Sequence, residues 1–345
     1  MCIRDSYTYN LNGTYAPFEG LRFRANYGRA VRAPNLSELY SAAGQNFAPG
    51  FADPCSADNL GRGTQFRQAN CAAAGIPTTY NYQYAQSLEI RSGGNPNLKV
   101  EKSDSYTYGA VISPTFAPGL VFTVDYYNIK VNDVITAVSA QGIVNNCYDS
   151  PSITNNQFCS QFQRVAAGGT GPRGEQAYRI IEGSLLQSSL NFASLKRRGI
   201  DMDLSYSRRF GETRIGAEVI YTHILESSSF LNPLQPAFAD TTVGELGYPK
   251  DQFTVNLGAD FGLITLDTQF RYLSKQSVGA IENHIAFQGR APQNLDDFDI
   301  PYYPDVLYIG MKLGIDIGEK SNFYIGVDNL TDRLPPLGAT GIGAG

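Results

Sequence analysis

Long apolar runs are missing from this chain: nowhere does it reach the roughly 18 consecutive apolar residues that a membrane-crossing helix needs. Helical period is missing as well, because no stretch of good amphipathic spacing lies between its alternating segments. Positive charge is not in excess. The 27 Lys and Arg stand against 32 Asp and Glu, a net charge of −5, which argues against nucleic acid as a partner, since that wants a basic face. Histidine is nearly absent, His223 and His284 being the only two. No Ser-His-Asp constellation, GxSxG turn or phosphate loop can be traced, so the sequence offers no catalytic machinery and points away from an enzyme. No repeat of about 40 residues marks a propeller. The start, MCIRDS, has no apolar core behind a basic end and is not a secretory leader. It resembles adaptor-derived read-through at the end of a sequencing fragment, and residues 1–6, with Cys2, are set outside the fold argument. On that reading the native N-terminus lies upstream, and the lack of a leader says nothing about location.

What the chain does have is 22 Tyr, 19 Phe and 35 Gly with only 17% charged residues. Tyr and Phe favour strands, while Gly supplies turns. Alternation is the dominant signal. In QFTVNLGADF the apolar set is Phe253, Val255, Leu257, Ala259 and Phe261, with polar residues and Gly258 between them. The same period runs through 7–15, 21–31, 103–112, 202–210, 214–223, 264–272, 306–317 and 322–330, and more loosely through 120–134. This predicts ten strands, most of about ten residues. Such a strand rises about 33 Å, or about 23 Å across a membrane when tilted, close to the apolar band of an outer-membrane barrel. Strands of soluble sandwiches average only about five or six residues.

The connections point the same way. Those at 17–20, 115–119, 208–212, 260–263 and 318–322 are short, and between them fall long ones at about 33–102, 135–190, 225–250 and 277–302. Transmembrane barrels alternate short periplasmic turns with long extracellular loops in this manner. The expected fold class is therefore all-β, an antiparallel transmembrane β-barrel segment. Its apolar sets face lipid, with Tyr7, Tyr15, Tyr27, Tyr126, Tyr221 and Tyr272 as candidate interfacial girdles. Its polar sets, Arg22, Arg24, Asn26, Asp201, Asp203, Glu218, Asp267, Gln269 and Arg271, face the lumen.

Beyond Cys2, four cysteines remain, all in long loops. They allow three connectivities, and confinement to two loops favours Cys55–Cys71 and Cys147–Cys159, in keeping with an extracellular face. A zinc site is the rival, but neither pair has CxxC spacing and no histidine is near. His223 shares a phase with Tyr221 and Val219, which puts it on the lipid side or at the upper interface. His284, two residues from Glu282, is a weak metal hint. Lys196 and Arg198, outward by alternation with Met202, are either plain rim charges or contacts for lipopolysaccharide phosphates.

Five segments in order resemble TonB-dependent outer-membrane receptors. YGRAVRAPNLSELYS matches their aromatic-x-Arg-x-x-Arg-Ala-Pro series followed by Leu and Glu-Leu, here Tyr27, Arg29, Arg32, Ala33, Pro34, Leu36, Glu38 and Leu39. GNPNLKVEKSDSYTYG resembles their Gly-Asn-Pro-x-Leu-x-Pro-Glu segment through Asn95, Pro96, Leu98 and Glu101, with Val100 where proline is usual. LKRRGIDMDLSY (with Gly199 and Asp201), GYPKDQFTVNLG and YIGVDNLTD (with Asn329 and Leu330) resemble later strands.

The resemblance implies a 22-stranded barrel around an N-terminal plug. Such a transporter takes a scarce ligand, a siderophore, a carbohydrate or similar, and the TonB–ExbB–ExbD complex powers its release by pulling the plug. Taking 322–330 as strand 21 makes 7–15 strand 12, so the chain is expected to be a partial barrel, residues 7–345. Plug, first half and last strand are then missing, with GATGIGAG short of the final strand. Outer-membrane lipid and lipopolysaccharide are the surrounding partners. A passive porin-like channel and a secreted all-β binding or adhesion protein remain the alternatives. Phe47, Tyr80, Tyr82 and Tyr84 are candidate ligand aromatics of the first long loop. By alternation Arg29 lies on the outer rim, and Arg32 points to the lumen, toward the expected plug. Pro34, lacking an N–H, lets the loop depart there.

Overall fold

In the computed structural model, which describes residues 6–84, 87–232, 234, 238–289, 291–292, 294–296, 301–318 and 320–335, ten long strands form one antiparallel sheet in chain order. They are β1 Tyr9–Phe18, β2 Leu21–Arg32, β3 Glu101–Ile112, β4 Leu120–Ala137, β5 Ser189–Phe210, β6 Thr213–Phe230, β7 Asp251–Asp260, β8 Ile264–Leu273, β9 Val306–Ile317 and β10 Ser321–Val327. Cys2 and the GATGIGAG end lie outside the described residues. Each strand pairs with the next, and β1 and β10 are paired on one side only among the described residues. The turns below the sheet are short. Gly20 allows the tight one after β1: its φ is +86°, and an added Cβ would lie 2.6 Å from the Ser113 carbonyl oxygen.

Three strands outrun the sequence reading. β5 begins at Ser189 rather than 202, β6 continues to Phe230 rather than 223, and β4 runs on to Ala137. Their ladder extends past the alternating part, pairing Lys196 with Ser228 and Ser194 with Phe230. Above the membrane the ladder no longer meets lipid on one side, and Leu190 and Phe192 pack on the loop core instead, so no strict alternation marks these extensions. The third long loop shrinks accordingly, and β10 ends at Val327 instead of 330.

Directly paired residues share a face, which lets the register test the two-sided pattern. One row runs Phe23, Ala110, Val124, Met202, Tyr221, Phe253, Tyr272 and Leu307. The adjacent row on the other face runs Arg24, Gly109, Asp125, Asp201, Thr222 and Gln252. A further polar row joins Glu218, Asn256 and Gln269. The same registers put Arg22, Asn26, Asp203, Asp267 and Arg271 on this polar face. The apolar face is bare, with Leu11, Tyr108 and Phe323 all more than half exposed. Soluble monomers rarely leave more than a few hundred Å² of contiguous apolar surface uncovered, so a whole sheet face of it belongs in lipid. Paired rings line it: Tyr27 stacks on Tyr106 and Phe253 on Tyr272, and Tyr108 lies tilted against Tyr126.

The buried hydrophobic core lies in the loops, not the sheet. Segments 33–100 and 138–188 fold together around Phe51, Ile76, Leu88, Ile90, Ile143, Val144, Ile180 and Leu185. A small sheet, Gly44–Pro49 with Ser87–Ser92 and Leu186–Gln187, ties the two loops to each other. Ser139 caps the helix Ala140–Tyr148 by accepting from the Gly142 amide, and that helix supplies much of the core. We refer to this unit as the cap.

Candidate ligand-binding site at the loop roots and polar wall

Where β2 gives way to the cap, the motif residues converge. The Arg32 guanidinium donates twice to Glu101 (2.6 and 2.7 Å) and also reaches Glu38 (3.2 Å). Glu38 and Asn35 cap the short helix Leu36–Tyr40 reciprocally, at 2.8 and 2.7 Å. The Asn95 amide donates to the Glu38 carbonyl, and the Asn95 side chain to the Ser189 carbonyl. Glu101 accepts the Ile135 amide as well. Residues far apart in sequence thereby bind the ends of β2, β3, β4 and β5 into one clamp. Ala33, Leu36 and Pro96 are exposed, while Leu39 and Leu98 are half-buried. Arg29 lies on the opposite face, ion-paired with Asp104 at 3.2 Å, and Tyr27 donates to the same carboxylate.

Above the clamp the cap is held by two disulfides, Cys55–Cys71 and Cys147–Cys159. Two buried ion pairs accompany them, Arg164 with Asp53 and Arg67 with Asp149, each with donor–acceptor contacts of 2.7 Å. Burial alone would depress the Arg164 pKa, but hydrogen bonds to Asp53 outweigh it and the net direction is up. Burial pushes the Tyr80, Tyr84 and Tyr148 phenols up.

These positions correct the reading of the loop aromatics. Tyr80 is a core residue whose hydroxyl donates to Asp53, so it has no face to offer a ligand. Tyr82 packs beneath the Arg179 guanidinium at 3.9 Å, and Tyr84 meets Phe51 edge-on. Tyr82 and Tyr84 still line a cavity of about 320 Å³ with Asp58, Asn59 and Arg62. Phe47 is more than half exposed on the small sheet.

Below the cap, the polar wall carries a groove of about 780 Å³ lined by Glu218, Asn256, Asp267, Gln269, Lys312 and Asp328. Its side chains are cross-linked: Asn256 donates to Glu218, and Gln269 to Asn256, each at 2.9 Å. Further along, Thr222 donates to Asp201. Arg24 crosses a whole strand to donate to Asp125, which is possible because Gly109 stands between them in the register. Gly199 sits at a bulge, where an added Cβ would meet the Tyr127 hydroxyl at 2.5 Å. Asn329, at φ +56°, exchanges hydrogen bonds with the Arg333 backbone, and the Leu330 amide donates to Ile309. Lys196 and Arg198 share Glu226, at 3.0 and 2.7 Å. His223 lies 2.6 Å from Asp251 at the rim, a partner the sequence did not reveal. Around His284 and Glu282, as elsewhere among the described residues, no three metal-ligating side chains converge.

A sheet with one lipid-facing and one polar face, spanned by alternating short turns and long loops, defines part of the wall of an outer-membrane β-barrel. The chain matches the family model described as TonB dependent receptor-like, beta-barrel, over residues 4–330, and it belongs to that family. The family places it in the Gram-negative outer membrane, crossed by strands; no described helix is long and apolar enough to cross. A ferric enterobactin receptor from Pseudomonas aeruginosa is similar in fold, at 16% identity and TM-score 0.51, over 95% of this chain and 35% of the receptor. The siderophore receptor PirA from Acinetobacter baumannii is similar at 12% identity and TM-score 0.53, over 95% of this chain and 37% of that one. The chain thus spans little more than a third of these receptors. No curated protein matches it significantly.

Proposed function

We propose that these residues form the C-terminal wall of a TonB-dependent transporter for energised uptake of a ferric siderophore. The plug, the first half of the barrel and the last strand would be supplied by sequence beyond them, and TonB–ExbB–ExbD would act through that plug. The observation that carries the reading is the one-sided polar wall lying beneath a folded, disulfide-held cap, an arrangement that suits capture outside and passage along the lumen. The siderophore receptors of similar fold support the ligand class. Deleting the parent gene is expected to abolish growth on a ferric siderophore as sole iron source, with the same loss in a strain lacking TonB. Growth loss only on an oligosaccharide would replace the ligand, and uptake that persists without TonB would overturn the mechanism.

A further inference from the structure

The small sheet of the cap ends in an open edge. It starts beside β5 with Leu186–Gln187, continues through Ser87–Ser92 and stops at Gly44–Pro49. The ladder determines which backbone groups of that last strand are spare. The Arg91 amide donates to the Leu185 carbonyl, and the Glu89 carbonyl accepts from the Gly183 amide, so both residues turn their backbone away from Gly44–Pro49. Gln45 and Phe47, paired opposite Arg91 and Glu89, then turn theirs outward. The Phe47 amide donates to the Asn46 side chain at 2.8 Å. The Gln45 amide and the carbonyls of Gln45 and Phe47 have no partner among the described residues. An edge of this kind is a template for one more strand.

The surface beside the edge is apolar. Ala48 packs on the cap core, which leaves Phe47 on the other side of the strand. The helix Leu36–Tyr40 buries none of its residues, and Leu36 and Tyr40 lie one turn apart on one face. Among the described residues of the two cap segments, Leu36, Tyr40 and Phe47 are the only large apolar side chains left exposed. All three fall between the clamp and this edge. Position selects what covers them. Gly44–Pro49 hangs from the β2 side of the clamp, and next to β2 stands β1, whose Tyr9 pairs with Arg29, short of the end of β2 at Arg32. A chain descending into β1 therefore passes the helix and the edge. The receptors of similar fold, of which this chain spans 35% and 37%, have the length to supply such a segment. On the reading that the first half of the barrel lies upstream, we propose that the extracellular loop leading into β1 adds an extended segment to Gly44–Pro49 as a fourth strand. Its apolar side chains cover Leu36, Tyr40 and Phe47, and a backbone ladder sews the cap to the other half of the extracellular face.

The test is amide hydrogen exchange, read at single residues, on the receptor purified from the parent gene in micelles. The Gln45 amide is expected to exchange at least about tenfold more slowly than in a receptor whose loop leading into β1 is replaced by a short Gly-Ser connector, because a laddered amide exchanges only when its strand opens. Gln45→Pro removes the outward N–H and keeps the inward pairs at Asn46 and Ala48, a change that a free edge tolerates. In that variant protease is expected to cut the loop leading into β1 severalfold faster. A Gln45 amide that exchanges like an unstructured peptide in the wild-type receptor overturns the proposal, as does protection that survives the connector. Protection that vanishes on dilution assigns the edge to a second copy and overturns it equally. TonB-dependent growth on a ferric siderophore is scored separately. A protected Gln45 without such growth keeps this contact and removes the transport reading, and a freely exchanging Gln45 with normal growth does the reverse.

Discussion

At the scale of residues, two positions carry more than their type suggests. Gly109 is the gap through which Arg24 reaches Asp125. An added Cβ would lie 2.1 Å from the Val124 carbonyl oxygen and 2.3 Å from Asp125 Oδ1. Backbone in mid-sheet cannot step aside, so Gly109→Ala is expected to destabilise the wall by about 1–3 kcal/mol, read as a lower urea midpoint in micelles. Arg32 joins two carboxylates that would otherwise face each other unscreened. Arg32→Gln should open the loop root by roughly 1–3 kcal/mol, seen as faster hydrogen exchange at the Asn95 and Ile135 amides with β8 and β9 unchanged. The sequence displays Arg32, Glu38 and Glu101 as motif members, and alternation assigns Arg29 and Arg32 to opposite faces. That Arg32 binds its own chain rather than pointing free into the lumen is not legible, because the partners lie 6 and 69 residues away.

Among elements, the strands and the cap were unequally readable. Strands announce themselves by a period of two wherever one face meets lipid, which is why β7 and β8 agree with their predicted spans almost residue for residue. The cap has no period. Its apolar residues are scattered through segments rich in Asn, Gln and Gly and meet only after the loops cross, so the sequence showed cysteines and aromatics but no core. Loss of the Cys55–Cys71 bridge, which closes 16 residues, is expected to destabilise the cap by about 3 kcal/mol in the chain-entropy view. Limited proteolysis of a Cys55→Ser/Cys71→Ser protein should then cut within 33–100 while the strands stay protected. Acid acts on the same unit. Hydrogen bonds from Arg173 lower the Glu89 carboxyl and those from Gln83 lower Asp58. Burial would raise Glu175, yet backbone amides, that of Arg173 first, bring it down. A depressed carboxylate contributes its full stability above its unfolded value, about 4 for these groups, and loses it as pH falls through the folded value. Near-ultraviolet tyrosine dichroism should therefore be flat from neutral pH to about 5 and begin to decline below about 4.

For the whole molecule, the decisive feature is that β1 and β10 are each paired on one side only among the described residues. Unsatisfied backbone groups in lipid cost several kcal/mol apiece. A strain expressing only these 345 residues is expected to yield no heat-modifiable barrel and no uptake, whereas the parent gene restores both; normal transport by the short chain alone would refute the partial-wall reading. The two-faced sheet and the alternation of turns and loops were open to the sequence at this scale, since both follow from local composition. The folding of two loops into one cap was not, because it depends on contacts between segments about a hundred residues apart.

That separation of core from wall gives the protein two unlike selective regimes along one chain. Substitutions in the wall are screened by hydrocarbon, which penalises any outward polar atom. Substitutions in the cap are screened by interior packing and by two covalent cross-links, as in a small secreted protein. The cap can therefore be exchanged as a cassette of two segments, 33–100 after β2 and 138–188 after β4, without renegotiating the portion that the bilayer holds.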